Sequence, residues 1–209
     1  MTTNHSTTMT SILVLLLLSS PLLAADEGFQ SLFDGKSLDG WKAPNMSYWS
    51  VQEGAITAES TVANPCNSNQ FLVWRGGDVS DFELKAKFRL AKNQGNSGIQ
   101  FRGKIDSKGM GIGYQADILP GGPWCGALAE EYTGREPLMA PNGHKTVVDA
   151  DGKRTVTRIG DPVALKAPGE WNDYQIIARG HHMILKINGQ VSAEFIDNDA
   201  KEFDPSGIL

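Results

Sequence analysis

The sequence contains little cysteine, and its basic residues do not outnumber its acidic ones. Only 2 of the 209 residues are cysteine, too few for a disulfide scaffold. With 24 acidic and 19 basic residues and a pI near 5.4, the chain lacks the basic surface that binds phosphate backbones, so we expect no nucleic-acid partner. Motifs of the HExxH and GxSxG types and a phosphate-binding glycine loop are also missing.

The most apolar segment, residues 12–25, is too short to span a bilayer, which takes about 18 apolar residues. Its apolar core, followed by small residues, is typical of a secretory signal peptide. We therefore predict a signal peptide over residues 1–25, no stable membrane insertion, and a secreted or periplasmic mature chain. Residues 26–209 then form a single domain, since that length suits one packed unit.

Export would place Cys66 and Cys125 in an oxidising compartment. The two thiols form a disulfide if the fold brings them within bonding distance, and otherwise they are separate buried thiols. Neither lies in a CxxC motif, so the sequence gives no support for a structural zinc site.

Alternation of apolar and polar residues is the main structural signal. Residues 81–91 show it best, and similar short runs separated by Gly, Pro, Asn and Asp clusters recur along the chain. Asn188 and Gly189 between two such runs predict a hairpin turn. Residues 133–169, rich in Gly and Pro, are expected to form functional loops or minor hairpins. With no helix of ordinary length visible, the pattern predicts an all-β antiparallel β-sandwich or jelly roll.

Strand parity selects the first candidate site residues. In residues 96–102, burial of Ile99 and Phe101 would place Gln100 and Arg102 together on the opposite face. Residues 113–118 would likewise project two polar side chains, Gln115 and Asp117, away from the core. Sandwiches bind sugars on such polar faces, although the same pattern also describes the solvated side of an ordinary sheet.

A second set of candidates follows at residues 121–135. The adjacent carboxylates Glu130 and Glu131 point in opposite directions in an extended strand, so only one can face a given cleft. With Asp117, that carboxylate would supply the pair needed for acid and base chemistry on sugars, although a solvated acidic turn has comparable weight. Arg135 would either neutralise a carboxylate or hold a developing oxyanion, and the Trp124 indole could stack on a sugar.

The histidines give little support for a metal site. His181 and His182 fall in what reads as a turn between strands, and His144 lies in the long irregular segment. Surface histidines of this kind are more often exposed than metal-bound.

Several segments in a fixed order resemble the 3-keto-disaccharide hydrolase family, also described as 3-keto-glucoside lyases and hydratases. These segments cover nearly all of the mature chain: FQSLFDGKSLDGW (29–41), FLVWRGGDVSDFELKAKF (71–88), NSGIQFR (96–102), GYQAD (113–117) and EWNDYQIIARGHHMILKIN (170–188). The resemblance implies a concanavalin-like fold, shared with lectins and glucanases, and an oligosaccharide or glycoside substrate.

The resemblance further implies chemistry on a sugar already oxidised at C3. The ketone acidifies the hydrogen at C2, so that a base removes it, the C1 oxygen leaves by elimination, and water then adds. From strand parity, Glu131 or Asp117 would be the base, and Arg102 or a bound divalent cation would stabilise the enolate. The remaining candidates are expected to contact substrate: Gln115, Gln100, Trp124, Glu130 and Arg135.

Two departures from the family pattern stand out. Relatives usually read LYEE where this chain has an alanine at 129, so one expected aromatic is missing. Relatives also continue past residues 207–209 into a closing strand with LQLH and a Gly-Pro-Pro turn, so we expect the last strand to be lacking, together with a histidine that would act as a base or metal ligand. The alternatives to an enzyme on 3-keto-glycosides are a noncatalytic lectin-like domain and, less well matched because an ExDxxE strand is absent, a retaining glucanase.

Overall fold

The structure is a computed structural model that describes residues 28–92 and 94–209. The predicted signal peptide, residues 1–25, lies outside the described residues. The chain divides into two compact units, one ending at Asp34 and the other running from Gly35 to Leu209, and all the strands lie in the second. No helix in the described ranges is long and apolar enough to cross a bilayer.

The second unit is built almost entirely of β-strands, as the alternating sequence pattern predicts. In the described residues, one 3₁₀ helix (Met46–Tyr48) accompanies the strands. The strands are β1 (Trp41–Lys42), β2 (Trp49–Gln52), β3 (Ala55–Ala58), β4 (Val73–Trp74), β5 (Phe82–Phe88), β6 (Ser97–Ile105), β7 (Gly111–Ile118), β8 (Leu128–Glu131), β9 (Leu138–Ala140), β10 (His144–Val148), β11 (Arg154–Arg158), β12 (Asn172–Arg179), β13 (His182–Ile187) and β14 (Gln190–Asp197).

Two larger sheets form the sandwich. The four-stranded sheet is antiparallel with strand order β6-β7-β8-β9. The six-stranded sheet has the order β11-β10-β14-β13-β12-β5 and is antiparallel except that β10 runs parallel to β14. Two small antiparallel pairs, β1-β4 and β2-β3, complete the described strands. The prediction of an all-β antiparallel sandwich is thus confirmed.

The apolar faces of the two larger sheets meet in one core. Two edge-to-face aromatic pairs connect the sheets, with ring centroids 5.6 Å apart for Phe82 and Phe101 and 6.2 Å for Tyr114 and Phe195. Within the four-stranded sheet, the rings of Phe101 and Tyr114 are tilted with centroids 5.9 Å apart. Because β5 turns alternate apolar side chains into this core, its lysines remain in solvent, as the period-two pattern predicts.

The predicted turns are also present. Asn188 and Gly189 have φ of 50° and 80° and connect the paired residues Ile187 and Gln190, which matches a type I′ hairpin. Within residues 133–169, β10 and β11 form the expected minor hairpin and extend the edge of the six-stranded sheet.

The cysteines do not form a disulfide. Cys66 is exposed, whereas Cys125 is buried with its thiol near the carbonyl oxygen of Val163 at 3.9 Å. The two are separate thiols, of which only Cys125 is buried.

Candidate functional site

The outer face of the four-stranded sheet carries a polar cluster centred on Gln115. Gln115 lies directly opposite Gln100 in the β6–β7 pairing. Its Nε2 donates to Asp117 Oδ1 at 3.2 Å and to Glu131 Oε1 at 3.4 Å. These four residues, Gln100, Gln115, Asp117 and Glu131, are called the carboxylate face below. The structure therefore brings together four of the side chains that strand parity selects.

Local sequence explains this placement. In β7 the side chains of Tyr114 and Ala116 are fully buried, which turns Gln115 and Asp117 to the outer face. Glu131 reaches the same face because it lies opposite Gly113 in the β7–β8 pairing. The Gln115 side chain lies across Gly98, where a Cβ would come within 2.6 Å of its Cγ, so the absence of a side chain at 98 makes room for it.

The two carboxyl groups of the face are less acidic than ordinary ones. Burial raises the pKa of Asp117 to about 6, the hydrogen bond from Gln115 partly opposes this rise, and the nearby charge of Glu131 adds to it. Burial also raises the pKa of Glu131. Carboxyl groups with raised pKa values are stronger bases when ionised and remain available as acids near neutral pH.

One end of the carboxylate face is bordered by aromatic side chains. Phe71 lies over Gly111, since a Cβ at that glycine would meet the ring at 2.7 Å, and the Gln100 side chain also passes there. The buried Nε2 of Gln100 has no hydrogen-bond partner among the described residues. Tyr132, directly after Glu131, is 55% exposed and accepts a hydrogen bond from Asn69 Nδ2 at 3.4 Å.

Trp124 lies in the loop that joins β7 to β8, close to the Asp117 end of the face. Its carbonyl oxygen accepts from Ala127 N at 3.1 Å, and Ala127 O in turn accepts from Asp117 N at 3.0 Å. The half-buried indole is therefore tied through the backbone to the strand end that carries Asp117.

Glu130 and Arg135 do not join the carboxylate face. Both Glu130 oxygens accept from Arg135, each at 2.5 Å, and the Arg135 Nη2 also reaches Asp197 Oδ2 at 2.8 Å. Tyr114 donates to the same Asp197 oxygen at 2.6 Å. Glu130 and Glu131 thus point to opposite faces, as expected, and Arg135 takes the neutralising role of the two predicted for it. Glu130, Arg135, Asp197 and Tyr114 are called the buried arginine network below.

The largely buried guanidinium of Arg135 is paired with two buried carboxylates, those of Glu130 and Asp197. Burial by itself would lower the pKa of Arg135, but the hydrogen bonds and charges of Glu130 and Asp197 raise it above its ordinary value. The guanidinium is therefore a fixed cation that holds β8 and β14 together.

The prediction that Arg102 shares a face with Gln100 is wrong. The β6–β7 register shifts between Phe101 and Lys104, and Arg102 has a φ of 50°, so the strand does not alternate there. The fully buried guanidinium donates instead to Ser80 O at 2.8 Å and Gly180 O at 2.7 Å. Arg102 connects the bulge to loops beside the six-stranded sheet, and burial lowers its pKa.

The described residues do not fit a divalent cation. Over residues 28–92 and 94–209, no group of three His, Cys, Asp or Glu side chains is arranged to hold one. On the carboxylate face, the donor Nε2 of Gln115 already lies against both carboxylates, where a cation would need acceptors. The three histidines in the described residues are engaged elsewhere: His182 with Glu194 at 2.8 Å, His144 with Asn142 O at 3.0 Å, and His181 with Asp197 O.

Sequence reasoning missed Tyr132 and Asp197. Tyr132 is an aromatic directly beside a candidate carboxylate, which was a usable signal. Asp197 carries no local signal, because its partner Arg135 lies 62 residues away in the sequence.

Comparisons with known proteins identify structures of similar fold and one matching family. A search of curated proteins found no match. Two crystal structures of provisionally assigned glycosyl hydrolases from Parabacteroides distasonis ATCC 8503 are similar in fold. One has 20% identity and a TM-score of 0.55, covering 86% of this chain and 87% of its own. The other has 18% identity and a TM-score of 0.54, covering 85% and 83%.

A carbohydrate binding module, CBM66 from Bacillus subtilis, matches with 13% identity and a TM-score of 0.47, covering 81% of this chain and 84% of the module. The model of one protein family, described as the 3-keto-alpha-glucoside-1,2-lyase-like domain, matches residues 28–208. Because that match spans most of the sequence, the chain belongs to the family of 3-keto-alpha-glucoside-1,2-lyase-like domains.

Proposed function

We propose that the protein is an exported enzyme that cleaves 3-keto-glycosides by removing the C2 proton, eliminating the C1 oxygen and adding water. Family membership supports the substrate class. The observation that carries the proposal is that the carboxylates of Asp117 and Glu131 accept hydrogen bonds from the same atom, Nε2 of Gln115. The pKa values of both carboxyl groups are raised. Export rests on the signal-peptide pattern in residues 1–25.

Glu131 is the proposed base. Its side chain is more exposed than that of Asp117, which is 4% exposed, so Glu131 is better placed to reach a bound sugar. Taking the C2 proton leaves an enolate at C2, C3 and the ketone oxygen. The electron pair then expels the C1 oxygen and forms a C1–C2 double bond, while the aglycone leaves as an alcohol by taking up the proton held by Glu131. Water adds its oxygen to C1 and a proton to C2, which completes hydrolysis.

Asp117 is the proposed acid. Its pKa of about 6 exceeds the ordinary carboxyl value, so a large fraction carries a proton in mildly acidic solution. A protonated carboxyl can donate a hydrogen bond to the ketone oxygen as negative charge develops there. Different environments of two neighbouring carboxyl groups are a common basis for separate acid and base roles.

Gln115 is the proposed positioning residue. Its amide nitrogen is directed to the two carboxylates, and its amide oxygen receives no hydrogen bond from the described residues, which leaves it to accept from a sugar hydroxyl. Arg102 has no part in this scheme, because its guanidinium is committed to Ser80 O and Gly180 O.

The test is to incubate the purified full-length protein with a 3-keto-α-glucosyl disaccharide in D₂O. We expect consumption of the disaccharide and deuterium at C2 of the keto sugar, with the rate declining as the pH rises through about 6 and Asp117 loses its proton. Glycan binding without consumption or deuterium incorporation would contradict an enzyme and favour a lectin-like domain.

A further inference from the structure

Tyr132 combines exposure with an unusual backbone conformation. Its φ is 56°, in the left-handed region that bulky residues rarely adopt, and its side chain is 55% exposed. An exposed ring gains little from packing, so packing does not offset the cost of this backbone conformation. Residues held in sparsely populated backbone conformations cluster at active sites and ligand-binding positions.

Tyr132 lies at the edge of the carboxylate face. It follows Glu131 directly, and its hydroxyl accepts from Asn69 Nδ2 at 3.4 Å. Asn69 is two residues before Phe71, which lies over Gly111 at the border of the face. The tyrosine therefore connects the end of β8 to the segment that covers this border.

Among the described residues, other outward positions on β8 offer no aromatic surface. Ala129, which lies opposite Gln115, has no exposed area. In the described part of the chain, one other large aromatic side chain is exposed, that of Trp171. It directly precedes β12 in the six-stranded sheet and stacks with the guanidinium of Arg89. Tyr132 is thus the exposed aromatic ring that adjoins the proposed base.

We propose that Tyr132 contacts the leaving sugar of a disaccharide substrate and makes the site prefer disaccharides to small alkyl glycosides. This inference rests on the function proposed above. The leaving group is attached to C1, the carbon next to the one that Glu131 deprotonates, which brings the leaving sugar close to the end of β8 that carries Tyr132. Aromatic rings bind pyranose faces through apolar contact, while the tyrosine hydroxyl stays solvated or hydrogen-bonded.

The experiment compares two substrates, a 3-keto-α-glucosyl disaccharide and methyl 3-keto-α-glucoside, in wild type, Tyr132→Ala, Tyr132→Phe and Trp171→Ala. We expect Tyr132→Ala to lower kcat/KM for the disaccharide about tenfold, mainly through KM, because a stacking contact is lost. The methyl glycoside should change less than about twofold. Tyr132→Phe keeps the ring and should resemble wild type, as should Trp171→Ala, which removes an exposed aromatic elsewhere.

Equal losses for both substrates in Tyr132→Ala, or no loss for the disaccharide, would overturn the role of Tyr132 while leaving the proposed reaction intact. If wild type consumes neither substrate, the proposed reaction fails. In that case, calorimetry with the corresponding unoxidised disaccharide tests the sugar contact of Tyr132. Binding that is weaker than wild type in Tyr132→Ala but not in Tyr132→Phe supports the contact. Unchanged binding, or no binding by wild type, overturns it.

Discussion

The carboxylates of Asp117 and Glu131 share one side-chain donor, the Nε2 of Gln115, at 3.2 and 3.4 Å. This shared donor, with the backbone N–H of Ile118 that also bonds to Asp117, does not fully compensate two partly desolvated negative charges. Below about pH 6 the pair therefore favours a state in which the more buried carboxyl, Asp117, holds a proton.

Replacing Asp117 with Asn should change stability, relative to wild type, more favourably at pH 8 than at pH 4. In the folded state the pKa of Asp117 is about 6, against an ordinary value of 3.8. In wild type, the stabilisation that comes from the raised pKa of Asp117 is therefore fully present below about pH 4 and is lost as the pH rises through about 6. We expect the free energy of unfolding of Asp117→Asn, relative to wild type, to be on the order of 2 kcal/mol more favourable at pH 8 than at pH 4.

Urea unfolding at pH 4, 6 and 8 measures this difference. Asp151→Asn, which removes an exposed carboxylate, is the matched control. An Asp117→Asn variant whose relative stability does not increase with pH would show that the carboxyl group titrates normally.

Replacing Arg135 with Met should strongly destabilise the fold. The side chains of Glu130 and Asp197 have no exposed area and both bind this guanidinium, so removing it leaves two buried carboxylates with neutral hydrogen-bond donors but without their cation. The expected loss is about 3–5 kcal/mol, whereas Arg158→Met, at the exposed ion pair with Asp161, should cost less than about 1 kcal/mol. Denaturant unfolding of both variants provides the test, and similar losses would contradict the buried arginine network.

Replacing Arg102 with Lys separates a structural role from the catalytic one that the sequence predicted. Lysine cannot reproduce the two hydrogen bonds to Ser80 O and Gly180 O, so we expect a loss of about 2–3 kcal/mol in the free energy of unfolding. At a temperature where the variant remains folded, kcat should stay within about twofold of wild type. A fall in kcat of about a hundredfold in the folded variant would instead assign enolate stabilisation to Arg102.

Replacing Tyr132 with Gly should give a more stable protein than replacing it with Ala. Glycine adopts a φ of 56° without the steric cost that alanine shares with other L-residues, so the difference should be about 1 kcal/mol in favour of Gly. Thermal unfolding of the two variants checks this, because neither retains the ring. A less stable glycine variant would mean that residue 132 is not held in the left-handed conformation.

Alternation predicted much of the fold and the side chains that share the carboxylate face. It placed the apolar face of β5 in the core, Gln115 and Asp117 on one outer face, and Glu130 opposite Glu131. Such predictions succeed where a strand remains regular, because parity then fixes the face.

The misplaced and missed residues lie where that regularity ends. Arg102 sits in a bulge, and an irregular residue changes the parity of the residues that follow it, whereas Gln100 before the bulge keeps the predicted face. Tyr132 follows the last residue of β8 with a positive φ, so its direction is set by the turn. The pairing of Arg135 with Asp197 depends on the packing of distant strands, which a local pattern does not contain.

The most direct test of the proposed chemistry is the rate of C2 deuterium incorporation in Glu131→Gln, measured with a 3-keto-α-glucosyl disaccharide in D₂O. The amide keeps the shape of the side chain but cannot take a proton. We expect the rate to fall by at least about a hundredfold while the substrate still binds. Deuterium incorporation at the wild-type rate in a folded Glu131→Gln variant would contradict the assignment of Glu131 as the base.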